Sequence, residues 1–361
     1  MAIIEKLHIL RFRNLDNQYL ELNKNINLFI GSNGQGKTNL IESIYYLGHN
    51  RSFKTKNIKD VVPFEKGFLQ IKAVVDDVSV SLKKSKHKSE IIFDDTKVSS
   101  NSKLTHILPT QVISPDRGFV IGGTPKLKRS YLDWGVFHTN KDILKTYKSY
   151  NKVLKNINTL LSTNNYKQLE EWLSQIAGLS VEISLARNNY IENLKTTLKK
   201  DLVSPVTSFV GVNKGFDFTL QPGWTKDVDY LNQREVYSYL INNKRLFFKN
   251  KHLSYGPHKA TLDFSFDKKN ENHLSRGEQK KLSTVFWMLQ VLFLVETGVK
   301  PIVLIDDISS ELDQNKINET LNFLTQLDVQ IFLTDIGNKT LPLDTKKTST
   351  YHIKKGVIYN N

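Results

Sequence analysis

The chain has 361 residues and is 39% hydrophobic, enough apolar material for one large or two ordinary packed domains. It contains no cysteine, which excludes disulfides, thiol catalysis and thiolate zinc sites, and no run of 18 apolar residues that would span a bilayer. A formal net charge of +15 favours a polyanionic partner over a merely solvated basic surface. The opening stretch MAIIEKLHILRFRN lacks the basic, apolar, small-residue order of a signal peptide, so a cytoplasmic location is expected.

Residues 1–30 read as strands, ending in the short apolar run Ile26-Asn27-Leu28-Phe29-Ile30. A glycine-rich turn at 31–36 is followed by a helical pattern through Leu40, Ile41, Ile44 and Leu47. Residues 68–98 alternate as an antiparallel meander, with Leu69, Ile71, Ala73 and Val75 on one face and Val78, Val80 and Leu82 after the Asp76-Asp77 turn. From 126 to 200 the period changes to three and four, and the polar link Ser162-Thr163-Asn164-Asn165 divides it into two arms. This predicts a helical hairpin with arms of roughly 20–30 residues, on the order of 30–45 Å. Strand patterns return at 216–220 and 260–266. A helix over 276–296, a strand at 302–305, a helix over 315–327 and a strand at 329–333 follow, an alternation that predicts a mixed α/β sheet. Basic residues cluster at Lys83, Lys84, Lys86, His87 and Lys88, at Lys126, Lys128 and Arg129, along 141–155, and over 244–259. Such a distribution suits a long phosphate backbone better than one small anion.

Three motifs carry chemistry. Gly31-Ser32-Asn33-Gly34-Gln35-Gly36-Lys37-Thr38 matches G-x-x-x-x-G-K-[ST] between a strand and a helix. Glycines let backbone N–H groups approach phosphates, Lys37 can reach the β- and γ-phosphates, and the Thr38 hydroxyl can ligate Mg²⁺. Leu304-Ile305-Asp306-Asp307 ends an apolar strand. Next to a phosphate loop, Asp306 is expected to hold Mg²⁺ and Asp307 to polarise the attacking water, although two acids at a helix start are also ordinary. In Leu274-Ser275-Arg276-Gly277-Glu278-Gln279, Ser275 and Glu278 form a capping box. The box leaves Arg276-Gly277 unexplained. A second anion-binding helix start in a chain that already has one triphosphate site suggests that it serves another subunit's nucleotide.

The order phosphate loop, LSRGEQ, LIDD resembles the ATP-binding-cassette ATPases, in the branch that holds the SMC and double-strand-break repair ATPases. The resemblance narrows to the RecF family of bacterial recombination and replication-repair proteins. It does so through Arg51-Ser52-Phe53-Lys54-Thr55, Ser114-Pro115-Asp116, Arg129-Ser130-Tyr131-Leu132-Asp133-Trp134-Gly135, Gly256-Pro257-His258-Lys259-Ala260 and Ser310-Glu311-Leu312-Asp313. It implies an α/β fold: an ABC-ATPase-like head, with a mixed sheet carrying the phosphate loop and an antiparallel β subdomain, and an inserted α-helical lid. The head would comprise residues 1–120 and 206–361 and the lid 121–205. It also implies that residues 31–39, including Asn39, bind ATP and that Gln111 senses Mg²⁺ and the γ-phosphate. Ser275, Arg276, Gly277 and Glu278 would face the partner's ATP in a homodimer, with Asp313 lining the same interface and Arg51 touching the nucleotide in its own subunit. The partners implied are DNA, duplex or at a duplex/single-strand junction, and the RecR and RecO mediator proteins. The catalytic set would be Asp307, Lys37 and Gln111. Asp307 stands where a catalytic glutamate is usual in the ATP-binding-cassette ATPases, and the RecF family has aspartate there too, so slow, switch-like hydrolysis is expected. Thr334-Asp335 stand where a switch histidine is usual, which leaves γ-phosphate sensing to another group such as Thr334. A transporter subunit would carry glutamate and histidine at those two places, and a phosphotransferase would give no reason for LSRGEQ.

Overall fold

The structure, a computed structural model, describes residues 2–63, 66–114, 118–200, 215–267, 269–311, 313–337 and 341–360. Pro115, Asp116 and Leu312 of the family-like stretches, and the expected boundary at 205/206, lie outside these residues. The chain divides into two compact units. The described residues of the first run up to Gly118 and from Thr284 onward, and those of the second lie between.

The first unit is built on two six-stranded sheets. One is antiparallel, in the order β2-β1-β4-β5-β6-β7, from β1 (Ile4–Leu10), β2 (Gln18–Glu21), β4 (Phe68–Val75), β5 (Val78–Ser85), β6 (Ser89–Phe93) and β7 (Thr96–Val98). The other runs β15-β14-β3-β13-β12-β8, from β3 (Ile26–Ile30), β8 (Thr110–Ile113), β12 (Ile302–Ile305), β13 (Ile331–Asp335), β14 (Thr348–Lys354) and β15 (Val357–Asn360). All its pairings are parallel except that of β14 with β15. The helix after β3, α1 (Lys37–His49), packs in the apolar cluster both sheets share, with Leu7 and Ile71 from one and Phe29, Leu304 and Phe332 from the other. Ten of its 13 residues are buried, polar ones among them, so the helix is enclosed on nearly all sides rather than along one stripe. Two buried residues are charged, Lys37 at its start and Glu42 in its middle. The Glu42 carboxylate takes a fork from Arg13 and the Ser52 hydroxyl, the partners a buried acid requires. The parallel pairing brings the carboxyl ends of β3, β13, β12 and β8 to one edge, where open α/β sheets bind ligands.

The second unit contains α3 (Pro125–Thr139), α4 (Ile143–Ser162), α5 (Leu169–Leu198), α6 (Gln233–Asn242) and α7 (Lys244–Asn250). It also holds a three-stranded antiparallel sheet, β11-β10-β9, from β9 (Asp217–Gln221), β10 (Thr261–Phe266) and β11 (Lys269–Asn270). A short α2 (Asn101–Ile107) belongs to the first unit. The expected hairpin is α4 and α5, which pack along each other. The division of the chain differs from the expected 206–361 head, because the stretch up to Ser283 packs with the helices. β9 lies against α5, β10 against α3, and α6 against α5. Strand pairing of β9 with β10 draws both sides of the segment into one core, which a pattern of local periodicity does not reveal.

Two family-like stretches meet in this unit. Arg129 donates to the Ala260 carbonyl at 2.7 Å. Asp133 accepts from Tyr147 at 2.6 Å and from Arg187 at 2.9 Å, and Arg187 also donates to the Pro257 carbonyl at 2.7 Å. Beside them His258 is held at both nitrogens. Its Nε2 lies 3.0 Å from the Leu253 carbonyl, which can only accept, so Nδ1 accepts from the Tyr150 hydroxyl at 2.7 Å. This is a neutral imidazole. Burial, with Lys259, Arg129 and His252 nearby, pushes its pKa from 6.5 down to about 4, against the pull of the Leu253 carbonyl. A depressed histidine stabilises the fold fully above the unfolded value and loses that contribution as pH falls through 6.5 toward 4. Wild-type stability should fall by about 2 kcal/mol more than that of His258→Gln between pH 7.5 and 5. Urea unfolding of both at several pH values measures it, and parallel curves would refute the neutral, buried imidazole.

Candidate nucleotide site

The loop after β3 is held from below before any ligand arrives. The Gln35 carbonyl accepts from the Gly356 N–H at 2.9 Å and from Asn14, and the Gln35 side chain accepts from the Lys355 N–H at 2.7 Å. Asn14 also accepts from Asn39 at 2.8 Å. Gln35 and Asn39 are thus committed to shaping the loop. Ser32, Asn33 and Gly34 are exposed at its crest. Gly36 has φ 117°, in the left-handed region, and turns the chain into α1. The helix start has no side-chain cap and no acid in its first turn, so its free N–H groups face outward for an anion. Lys37 is buried and folded back, donating to the carbonyls of Gly31 at 2.6 Å and Ser32 at 3.1 Å. Burial pushes its pKa down, while the charges of Asp307, Asp306 and Asp335 hold it up.

At the next strand ends, Asp306 receives three hydroxyls. Thr334 donates at 2.8 Å, Thr38 at 3.1 Å and Ser114 at 3.3 Å. Burial raises its pKa. The Thr334 and Thr38 hydroxyls, the charge of Lys54 and the Ser114 hydroxyl pull it back. Asp307 turns out of the strand with φ 52°, a conformation aspartate tolerates better than most residues, and its N–H donates to Thr334 Oγ1 at 2.7 Å. Thr334 is therefore a buckle between the two acids, with its single O–H already given to Asp306. For Thr334 to sense a γ-phosphate, its hydroxyl would have to leave Asp306.

Gln111 is not brought to this cluster. Along β8 the residues alternate, and Val112 pairs with Leu304 on the face of the α1 cluster, so Gln111 points to the opposite face. It is 1% exposed, and its Nε2 has no partner. Ser114, two residues beyond Val112, is the residue of this segment that meets Asp306. Arg51 is exposed, in the bend after α1. The same loop brings the charge of Lys54 to bear on Asp306, and its backbone is pinned by the Lys54 and Thr55 N–H groups donating to Ser52 Oγ at 2.9 Å. Ser114, Lys54 and Asn14 were given no role by sequence reasoning, since their partners are distant in the chain.

In the second unit, Ser275 and Glu278 form the expected capping box at the start of α8 (Arg276–Glu296). The Ser275 N–H donates to the Glu278 carboxylate at 2.7 Å and the Glu278 N–H to Ser275 Oγ at 3.3 Å. Ser275, Arg276 and Gly277 are exposed, and a Cβ built on Gly277 would meet nothing within 4 Å. The preceding segment is braced by the buried Lys128–Glu271 pair and by Gln279 donating to the carbonyls of Glu271 and Leu274. Asp313 caps the helix α9 (Gln314–Gln326), accepting from the Lys316 N–H at 3.1 Å.

A phosphate loop and an acid-bearing strand end on a mixed sheet, with an antiparallel sheet across α1, define the head of an ABC-type ATPase of the SMC-like kind. A family model described as the RecF/RecN/SMC N terminal domain matches residues 3–358. "DNA replication and repair protein RecF" of Salmonella arizonae is 30% identical, over 98% of this chain and 99% of that protein. Its namesake from Psychromonas ingrahamii is 32% identical over the same shares. The solved structure of "the recombination mediator protein RecF-ATP in RecFOR pathway" superposes with a TM-score of 0.85 at 24% identity, covering 100% of this chain and 98% of that one. A Pyrococcus furiosus Smc head gives 0.52 at 15%, covering 99% and 95%. The chain belongs to the RecF/RecN/SMC family and, within it, to the RecF proteins of DNA replication and repair.

Thr334→Val should destabilise the protein by about 2 kcal/mol, since it strips a hydroxyl from a buried carboxylate and orphans the Asp307 N–H. Thr334→Ser should recover most of the loss in urea unfolding; a serine variant as unstable as the valine one would mean packing rather than hydrogen bonding is at stake.

Proposed function

We propose that the chain is an ATP-driven switch that dimerises around two nucleotides, closes on DNA, and acts as a recombination mediator at gapped DNA together with RecR and RecO. Gly277 carries the dimer reading. A glycine in the first turn of a helix costs about 1 kcal/mol relative to alanine, and here neither a positive φ nor a close neighbour within the chain requires it. Open backbone beside Ser275 and Arg276 suits phosphates that arrive from outside, on the phosphate loop of a second copy. The solved relative described as "RecF-ATP" lends the nucleotide its identity.

In this reading residues 31–39 cradle ATP, and Lys37 exchanges its carbonyl partners for the β- and γ-phosphates. Thr38, Ser114 and Asp306 offer only oxygen, the donor set that suits Mg²⁺. The described residues hold no cluster of three or more His, Cys, Asp or Glu for a metal, so phosphates and water would complete its shell. Lys54 adds positive charge where the γ-phosphate would lie, and Asp307 orients the water. Asp307 is one methylene shorter than glutamate, which suits a timed release of DNA. The net charge of +15 suits sequence-independent binding of duplex or junction DNA.

Size-exclusion chromatography with ATP, with ADP, and with ATP plus duplex DNA tests the switch. ATP alone should double the apparent mass, and DNA should co-elute only with the ATP form. Lys37→Met should weaken ATP binding about 100-fold, the loss of charge-assisted bonds to phosphate. Ser275→Arg should keep ATP binding and remain monomeric, and Asp307→Asn should hold the ATP dimer. A Ser275→Arg protein that still dimerises with ATP would overturn the trans arrangement.

A further inference from the structure

Of the basic clusters in the sequence, the structure draws several residues inward. Lys84 donates to the Asn50 carbonyl and side chain, Lys128 pairs with Glu271, Arg129 serves Ala260, and Lys244 pairs with Glu170. The lysines of α4, from Lys145 to Lys155, are spread over about 15 Å. One end of the antiparallel sheet behaves differently. The turn joining β5 to β6 is closed by the Ser85 N–H donating to the Lys88 carbonyl at 2.8 Å and leaves Lys86, His87 and Lys88 exposed. In β5 the inward positions are Val80 and Leu82, so Lys83 points to the open face, 4.3 Å from the Phe68 ring that Arg11 also covers at 4.6 Å. Lys59 and Lys86 line one small cleft of about 230 Å³ with Ile58, Val62, Pro63 and Gly67.

Arg11, Lys59, Lys83, Lys86, His87 and Lys88 thus share one end of the sheet, and among the described residues none of the six has an acidic group within 4 Å. Glu90, opposite Lys83 in the β5–β6 ladder, is hydrogen-bonded to Lys97 at 2.6 Å, and the charges of Lys88 and Lys83 act on it more weakly. Five cations and a histidine crowded at one end of the sheet, none in an ion pair of its own among the described residues, raise the energy of the protein alone, and a polyanion relieves it. Phe68 is covered by the Arg11 and Lys83 cations and is not open for a base to stack on.

We propose that the β5–β6 hairpin end of the sheet, with Arg11, Lys59, Lys83, Lys86, His87 and Lys88, is a site at which this protein grips the phosphodiester backbone of duplex DNA, independently of base sequence. It rests on the DNA-binding function proposed above and assigns residues to it. The test is the triple variant K83A/K86A/K88A, whose side chains are remote from the phosphate loop in the sequence; the one ring contact it removes is that of Lys83 with Phe68, which Arg11 still covers. Fluorescence anisotropy with ATP and two duplexes of unrelated sequence, over a salt series, should show affinity lowered about 100-fold on both near 0.1 M salt. The slope of log K against log salt should be shallower by roughly 2.7, three phosphate contacts at about 0.9 each. ATP binding and thermal stability should match wild type. A variant with wild-type affinity and slope overturns the site while leaving DNA binding intact, and a loss confined to one of the duplexes overturns the backbone assignment. A wild type that binds neither duplex removes the DNA reading and this site with it.

Discussion

The Asp306 carboxylate lies almost wholly out of water at the end of β12, and the segments around it are arranged to keep it there. A buried charge without donors is costly, and one with donors from several segments locks those segments together. Thr38 comes from the start of α1, Ser114 from beyond β8 and Thr334 from β13. Lys37 and Lys54 supply positive charge from either side of α1. Three hydroxyls offset part of the cost of burial and leave the acid with its pKa raised. That is a poised state: a divalent cation brought by a nucleotide would favour the ionised form.

The same economy governs the support of the loop. Arg13 and Ser52 satisfy Glu42 in the middle of α1, and Ser52 in turn holds the backbone on which Lys54 rides. Asn14, from the turn after β1, and the β14–β15 turn hold Gln35 and Asn39. Residues that look like ligand contacts because they lie within the motif are partly occupied in shaping it. The groups left free are backbone N–H groups at the helix start, the kind of donor that phosphate oxygens require.

In the second unit the buried groups do a different task. Asp133, Tyr147 and Arg187 join the helices to the Gly256-Pro257-His258 segment, so that these family-like residues are structural. Lys128 and Glu271 do likewise for the segment before Ser275. Rigidity there leaves Ser275, Arg276 and Gly277 exposed in a defined shape, and under the proposed function an anion arriving there would cost less entropy to bind.

Local chemistry was enough to read the phosphate loop, the acid pair, the capping box and the helical hairpin from the sequence. Each of these depends on residues within a few positions of one another, and their spacing follows the period of a helix or the demands of a turn. The directions of Gln111 and Arg51 could not be read from local pattern: strand alternation turns Gln111 away from the α1 face, and the bend after α1 leaves Arg51 in solvent while the charge of Lys54 acts on Asp306. The grouping of residues 215–283 with the helices, the Thr334 buckle and the cationic end of the antiparallel sheet were decided only in three dimensions. They join positions from about 30 to about 140 residues apart, and no local period records which distant strands will pair.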